Sequence, residues 1–472
     1  MTISKHILDT LKTLAGPKGW SDDPQEIAPH MQDWRKRYTG ATPLLLKPDT
    51  VDSLSKIVRY CNETKTPLVP QGGNTGLVRG GIPSSDANEI LLSFKRLHGV
   101  IDINTENNSI TAYAGTPIQA LHDAANKVDR TFGLSLASQG SCTAGGVAST
   151  NAGGIHVLRY GTTRDLIVGL EAVMPNGEIF SDLLGLKKDN TGYDIRNLLI
   201  GAEGTLGIIT KVMFKLFPTI GDSSVLLAAI PSPKAALTIL NQAQNIGNGA
   251  LHAFELIPRV ALDMVAGYMP DLTKPMAFNH DWYVLIEFSQ SNPLNGFKEA
   301  IEAWLETLLD AEHILDGALA QNESQAKNFW AWREAISDAQ AAHGPSLKHD
   351  VSVPLHHIPA LLNQAEDVLK QKFPNIIPVM FGHMGDGNIH LNLSASKNMS
   401  PQDFYTHQDA CSEIIYDSVY KLGGSFSAEH GIGTLKIAEM EKYKNPTSLR
   451  IMQAIKTTLD PNGIMNPGKV FL

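Results

Sequence analysis

The placement of glycine constrains this chain more than any other feature. Forty of its 472 residues are glycine, and many gather in three places. Gly72, Gly73, Gly76, Gly80 and Gly81 form the first cluster. Gly140, Gly145, Gly146, Gly153 and Gly154 form the second, and Gly201, Gly204 and Gly207 the third. Glycine gathered between apolar runs marks backbone held at positive φ, or backbone that something approaches closely. Such loops, placed after strands, present N–H groups to phosphate oxygens. The first loop follows the short apolar run Pro67-Leu68-Val69-Pro70. It fits neither the GxGxxG dinucleotide fingerprint nor the GxxxxGK[ST] phosphate loop, which argues against NAD and ATP as partners. Taken one at a time the clusters could be surface turns, but turns alone poorly explain three in one half of a chain.

Apolar periodicity places elements around these loops. Residues 50–65 carry Val51, Leu54, Ile57, Val58 and Cys61 on one helical face behind a Thr50 N-cap. Residues 90–94 and 109–114 read as strands, 116–127 as a helix, and 171–180 as a hairpin turning at Asn176-Gly177. Beyond Pro218 the pattern changes to longer helices at 232–246, 293–314, 322–341 and 356–373, between strands at 224–230 and 281–289. Residues 401–421 read as a further helix. An α+β chain of two large domains is expected. The expected boundaries are 1–217 and 218–420, followed by a C-terminal segment, 421–472.

Charge and cysteine usage exclude several classes. Thirty-nine Lys and Arg against 48 Asp and Glu give a net charge of −9, the opposite of a nucleic-acid binder. An anionic substrate must therefore be met by a local positive site. The three cysteines, Cys61, Cys142 and Cys411, form no CxxC, so neither a disulfide framework nor a thiolate metal cluster is expected. The first twenty residues match no signal or transit pattern, and no apolar run is long enough to span a bilayer. A cytoplasmic protein without a membrane span is expected.

The segment from Gly382 to His390 reads GHMGDGNIH. With Asp386 and Gly387 as a two-residue turn, His383 would face His390 across the strands at ~5 Å. Glu429 and His430 add a carboxylate and another imidazole. Two histidines and a carboxylate suit Zn²⁺, Mn²⁺, Co²⁺ or Fe²⁺ with positions left open for substrate. The same residues also read as plain hairpin histidines, or as the triad of a non-haem iron oxygenase. The oxygenase reading leaves the glycine-rich half unused. Upstream, Arg333 and Ser337 lie four apart on a helix, and Lys348 follows. A guanidinium fork plus an ammonium makes a carboxylate receptor; alternatively Arg333 pairs with a nearby acid.

Six segments, 67–83, 138–161, 186–209, 382–392, 427–433 and 459–469, resemble in order the flavoproteins of the vanillyl-alcohol oxidase superfamily. More narrowly they resemble its FAD-linked D-2-hydroxy-acid dehydrogenase branch. The resemblance implies a two-domain fold: an FAD-binding domain and an α+β substrate domain, with the C-terminal segment returning to the former. It implies FAD held by Pro70, Gln71, Gly72, Gly73, Asn74, Thr75 and Gly76. Ser138, Gly140, Ser141, Cys142, Gly145, Gly146, Asn151, Gly153 and Gly154 would continue that site, completed by Glu203, Gly204, Gly207, Ile209 and Asn466. Some relatives bind flavin covalently through a histidine in the first loop. This loop has none, so non-covalent FAD is expected, with Cys142 a packing residue. By resemblance His383, His390 and Glu429 bind the metal, with Zn²⁺ favoured, and His430 is the base. Arg333, Ser337, Lys348 and Asn392 would hold a small 2-hydroxy acid, D-2-hydroxyglutarate favoured over D-lactate, D-malate and glycolate. Relatives usually place aromatic residues beside that lysine, where this chain has Leu347 and His349. With no NAD fingerprint, the expected electron acceptor is another protein, such as an electron-transfer flavoprotein, or a quinone. A homodimer is the family expectation. The rival readings are a redox-neutral flavin synthase and a silent subunit of a larger complex.

Overall fold

A computed structural model describes residues 3–34, 36–291 and 296–471. The chain divides into two units. The first comprises Met1–Gly153, Tyr160–Thr219 and Glu429–Leu472, and the second Gly154–Arg159 and Ile220–Ala428. The C-terminal segment thus belongs with the N-terminal half, and the short stretch 154–159 belongs with the second unit.

In the first unit, a four-stranded sheet runs in the order Trp20–Ser21, Leu45–Leu46, Ile90–Ser93, Leu68–Gln71. The last three strands are mutually parallel. Helix Val51–Thr64 covers it, its start fixed by the Thr50 hydroxyl accepting the Ser53 N–H at 3.1 Å. Leu54, Ile57, Val58 and Cys61 are fully buried against Leu68, Ile90 and Leu92, the face expected from their spacing. The tail is stitched to the same sheet: Leu68 donates to the Ile464 carbonyl at 2.8 Å, and Asn466 donates to that of Leu68 at 2.9 Å. A second, antiparallel sheet centres on the eleven-residue strand Ile208–Pro218. Its hairpin Ile167–Val173 and Ile179–Asp182 closes at the pair Val173↔Ile179. The turn is therefore longer than the two residues expected. Gly177 donates to the Met174 carbonyl at 2.8 Å, so Pro175 and Asn176 occupy its centre and Gly177 follows at φ 82°.

The second unit also has two sheets. One runs Leu251–Pro258, Trp282–Gln290, Asp222–Ile230, Asp316–Leu319, all antiparallel. In the other, Asn388–Ala395 pairs with Ser346–Leu347, Asp350–Ser352 and Ile376–Phe381. Trp332, Tyr283 and Phe381 fill the core of this unit. The single helix expected at 322–341 is two, Glu323–Glu334 and Ile336–His343, interrupted at Ala335. The helix at 401–421 likewise breaks at His407. That expected at 293–314 is seen as Phe297–Asp310, with 293–295 outside the described residues. The strand Leu251–Pro258 was not expected, and every residue in it is buried. Among the described residues, no helix is long and apolar enough to cross a membrane.

Candidate functional site

The glycine loops of the first unit pack on one another. A Cβ on Gly73 would stand 1.9 Å from the Ser141 carbonyl oxygen, and one on Gly72 would stand 2.5 Å from Thr143 Oγ1. A Cβ on Gly204 would meet Pro70 Cγ at 2.6 Å, and one on Gly145 would meet Ala114 Cβ at 2.5 Å. At these glycines the neighbouring segment approaches too closely for a side chain, backbone to backbone at Gly73 and against side-chain atoms at the other three. Thr143 caps helix Ala144–Thr150 by accepting the Gly146 N–H at 3.3 Å. The Ser138 carbonyl accepts the N–H groups of Ser141 and Cys142, each at 2.8 Å. Among the described residues, the N–H groups of Gly72, Gly73, Asn74, Thr75 and Gly76 find no protein acceptor. Five unsatisfied donors on one loop suit the oxygens of a pyrophosphate.

Other expected FAD residues turn out to hold the loops. Gln71 is buried, donating to the carbonyls of His30 and Gly81 at 2.9 and 2.8 Å. Asn74, at φ 54°, donates to the Gln32 carbonyl at 3.1 Å. Asn151, at φ 49°, accepts the Arg164 N–H at 2.9 Å. Glu203 accepts the N–H groups of Ile432 and Gly433 at 2.7 and 2.8 Å, and burial raises its carboxyl pKa. Asn466 donates to the carbonyls of Glu203 and Gly80 at 2.7 and 2.9 Å, while its Oδ1 is buried without a partner. That orphaned acceptor adjoins the glycine loops and fits a polar ligand there. Cys142 and Ile209 lie in the hydrophobic core, and burial pushes the Cys142 thiol up. Gly140 and Gly76 have open space where a Cβ would stand, Gly207 lies against Leu199, and Gly153 and Gly154 fall where the chain passes between units.

In the second unit the histidine segment departs from the expected register. His390 pairs across the strands with Phe381, not with His383. Gly382, at φ 153°, leaves the hairpin and exchanges two backbone hydrogen bonds with Leu256, at 2.9 and 3.0 Å. This second pairing lengthens the connection and carries His383 over Leu251–Pro258. The two imidazoles still meet, with ring centroids 5.2 Å apart and planes at 80°. His383 and His390 each offer a ligand atom, and these atoms lie within 4.8 Å of one another. Glu429 and His430 open the C-terminal segment of the first unit.

A buried carboxylate that the sequence reading missed organises this cluster. Glu255, 1% exposed, receives His383 Nδ1 on Oε1 at 2.7 Å and Arg333 Nε on Oε2 at 2.7 Å. Burial pushes its carboxyl pKa up. The Arg333 guanidinium and His383 outweigh this and hold it down at about 2. His383 thus meets Glu255 through Nδ1, and His390 has its Nδ1 3.8 Å from the fully buried Asp350 carboxylate. Imidazoles backed by carboxylates are the donor set a divalent metal requires. One signal could have revealed Glu255: it is the lone acid in the apolar run LHAFELIP, and a buried charge needs a partner. Near the turn, burial raises the Asp386 carboxyl pKa to about 6.

The expected acid receptor separates into parts. Arg333 is buried, with its guanidinium 4.9 Å above the Phe381 ring. Its Nη2 lies 2.6 Å from Glu255 Oε2, but no N–H of that atom is directed at a protein acceptor. Donors remain there for a second carboxylate. Ser337, beyond the break at Ala335, is exposed. The Lys348 ammonium donates to Gln340, which also receives Asn392 Nδ2 at 3.0 Å and donates to Ser394 Oγ at 2.9 Å. Gln340, fully buried and not singled out by sequence, fixes both Lys348 and Asn392.

Residues 42–182 match an FAD binding domain, and 222–470 match the C-terminal domain of FAD linked oxidases. The chain is 36% identical to the D-2-hydroxyglutarate–pyruvate transhydrogenase of Saccharomyces cerevisiae, over 95% of this chain and 90% of that one. It is 34% identical to the D-2-hydroxyglutarate dehydrogenase of Xanthomonas citri pv. viticola, over 95% and 93%. In fold it matches p-cresol methylhydroxylase with a TM-score of 0.78 at 15% identity, covering 99% of this chain and 97% of that one. The chain belongs to the FAD-linked oxidases, two-domain flavoproteins of the vanillyl-alcohol oxidase type.

Proposed function

We propose that this chain oxidises a D-2-hydroxy acid, D-2-hydroxyglutarate above others, to the 2-keto acid. The carboxylate-backed imidazole pair carries the reading: Glu255 on His383 and Asp350 beside His390. The names of the yeast and Xanthomonas relatives support the choice of acid.

His383, His390 and Glu429 hold a divalent ion, Zn²⁺ by preference, and Arg333 receives a substrate carboxylate through the donors Glu255 leaves free. Lys348 and Asn392, fixed by Gln340, meet the second carboxylate of a dicarboxylic acid, and Ser337 lies on the same stretch of chain. A divalent ion would supply Lewis acidity to the 2-hydroxyl, and FAD would supply the acceptor for the hydride that leaves Cα. His430 takes the hydroxyl proton as the C–H bond breaks and the C=O bond forms. FAD is held non-covalently by the loops of residues 70–76 and 138–154 with Glu203, Gly204, Gly207 and Asn466. Reoxidation by a second protein or a quinone, a homodimeric state and a cytoplasmic location complete the proposal.

The test is turnover of purified protein on a panel of D-2-hydroxy acids with an artificial electron acceptor. Arg333→Ala and Lys348→Ala should each lower kcat/KM for D-2-hydroxyglutarate by at least ~100-fold, the loss of a buried charge-assisted contact. Unchanged kcat/KM in both variants would remove the assigned acid receptor. Flavin bleaching by the acid under anaerobic conditions would exclude a redox-neutral synthase.

A further inference from the structure

Glu255 has two partners from distant parts of the chain. His383 lies 128 residues away and Arg333 lies 78 away, and each engages a different carboxylate oxygen. This carboxylate stands on the wholly buried strand Leu251–Pro258. Its backbone pairs on one side with Trp282–Gln290, and Leu256 pairs with Gly382 on the other. The second pairing sets His383 one residue beyond a fixed backbone position. Arg333 is gripped at Nε by the carboxylate and packed against Phe381, whose ring lies 5.2 Å from that of His390. One side chain therefore contacts both the imidazole offered to the metal and the guanidinium offered to the substrate.

We propose that Glu255 is a positioning residue that fixes a metal ligand and the carboxylate-receiving arginine in one rigid unit. The inference rests on the metal and substrate roles proposed above, and adds that one carboxylate couples the two. An acceptor on Nδ1 holds that nitrogen as a donor, which leaves Nε2 with its lone pair for the cation and makes the imidazole more basic. The other oxygen takes Arg333 Nε, which aims the guanidinium by one edge. Metal affinity and substrate affinity should therefore both depend on a residue that touches neither ligand.

A simpler role would be charge neutralisation: Arg333 is buried, and an acid beside it is needed whatever the metal does. Two variants separate these roles. Zn²⁺ affinity is measured on chelator-stripped full-length protein by competition with a chromophoric chelator, and flavin content is read from the visible spectrum of the same samples. In Glu255→Gln, which keeps shape but loses charge, the Kd for Zn²⁺ should rise ~10- to 100-fold while bound flavin is unchanged. In Glu255→Gln/Arg333→Met, no buried charge is left unpaired, and the affinity should stay equally low because His383 still lacks its carboxylate. If Glu255→Gln alone does not fold, the double variant decides. A double variant, or a folded single variant, with a Kd within twofold of the parent overturns the proposal. A parent chain that takes up no Zn²⁺ defeats the metal reading itself. A parent that binds tightly, with variants that bind as tightly, defeats only the role of Glu255.

Discussion

Gly73 and His252 show two ways in which a single residue carries a consequence. With Ser141 O 1.9 Å from where its Cβ would be, Gly73 is the tightest point between the first two glycine loops. Gly73→Ala should force the loops apart at a cost of about 1–3 kcal/mol, and the protein should purify with substoichiometric flavin by absorbance. Full flavin content would show that the loops are not the cofactor site. His252 is 1% exposed and packs edge-on against His156 at 4.0 Å. Burial, with His156 and Arg159 nearby, lowers its pKa from 6.5 to about 2. A depressed base contributes stability above its unfolded pKa and loses it as pH falls, so unfolding free energy should drop by about 1.4 kcal/mol per pH unit below 6.5. His252→Phe keeps the ring contact and lacks the titrating nitrogen. Urea unfolding at pH 7 and 5.5 should show a shallower loss in the variant, and identical losses would contradict the assignment. At this scale the glycines were legible because close approach forbids a side chain. Glu255 was not, because its meaning comes from partners far along the chain.

At the scale of elements, periodicity found faces better than it found ends. The spacing of Leu54, Ile57, Val58 and Cys61 gave the buried face of helix Val51–Thr64. Nothing local announced the break at Ala335, which leaves Arg333 buried and Ser337 exposed. The histidine hairpin is the instructive case. Its Asp-Gly pair suggested a tight turn, but Gly382 forms a bridge to Leu256 on another sheet. A non-local pairing thus displaced the register that the turn residues favoured. Gly382 sits at φ 153°, where an added Cβ would stand 2.8 Å from the Asn388 carbonyl oxygen. Gly382→Ala should cost about 1–3 kcal/mol and weaken Zn²⁺ uptake while flavin absorbance persists. Zn²⁺ affinity equal to the parent's would show that the bridge does not position His383.

At the scale of the whole molecule, the chain was readable as two bodies because each builds its own core. The sheets of the first unit bury Leu68, Ile90, Ile110 and Phe214, and those of the second bury Tyr283, Trp332 and Phe381. The tail's return to the first unit is carried by backbone bonds at Leu68 and by Asn466, and only resemblance suggested it beforehand. The division of labour follows the same lines: glycine loops suited to a pyrophosphate in one unit, and a carboxylate-backed histidine pair with a buried arginine in the other. The central claim is that both serve one oxidation. Its most direct test is the visible spectrum of the purified protein, followed anaerobically as D-2-hydroxyglutarate is added before and after removal of divalent metal. The account predicts a flavin spectrum that the acid bleaches, no bleaching once the metal is stripped, and recovery when Zn²⁺ is returned. A flavin that bleaches equally well in the stripped protein, or one that the acid never reduces, would contradict it.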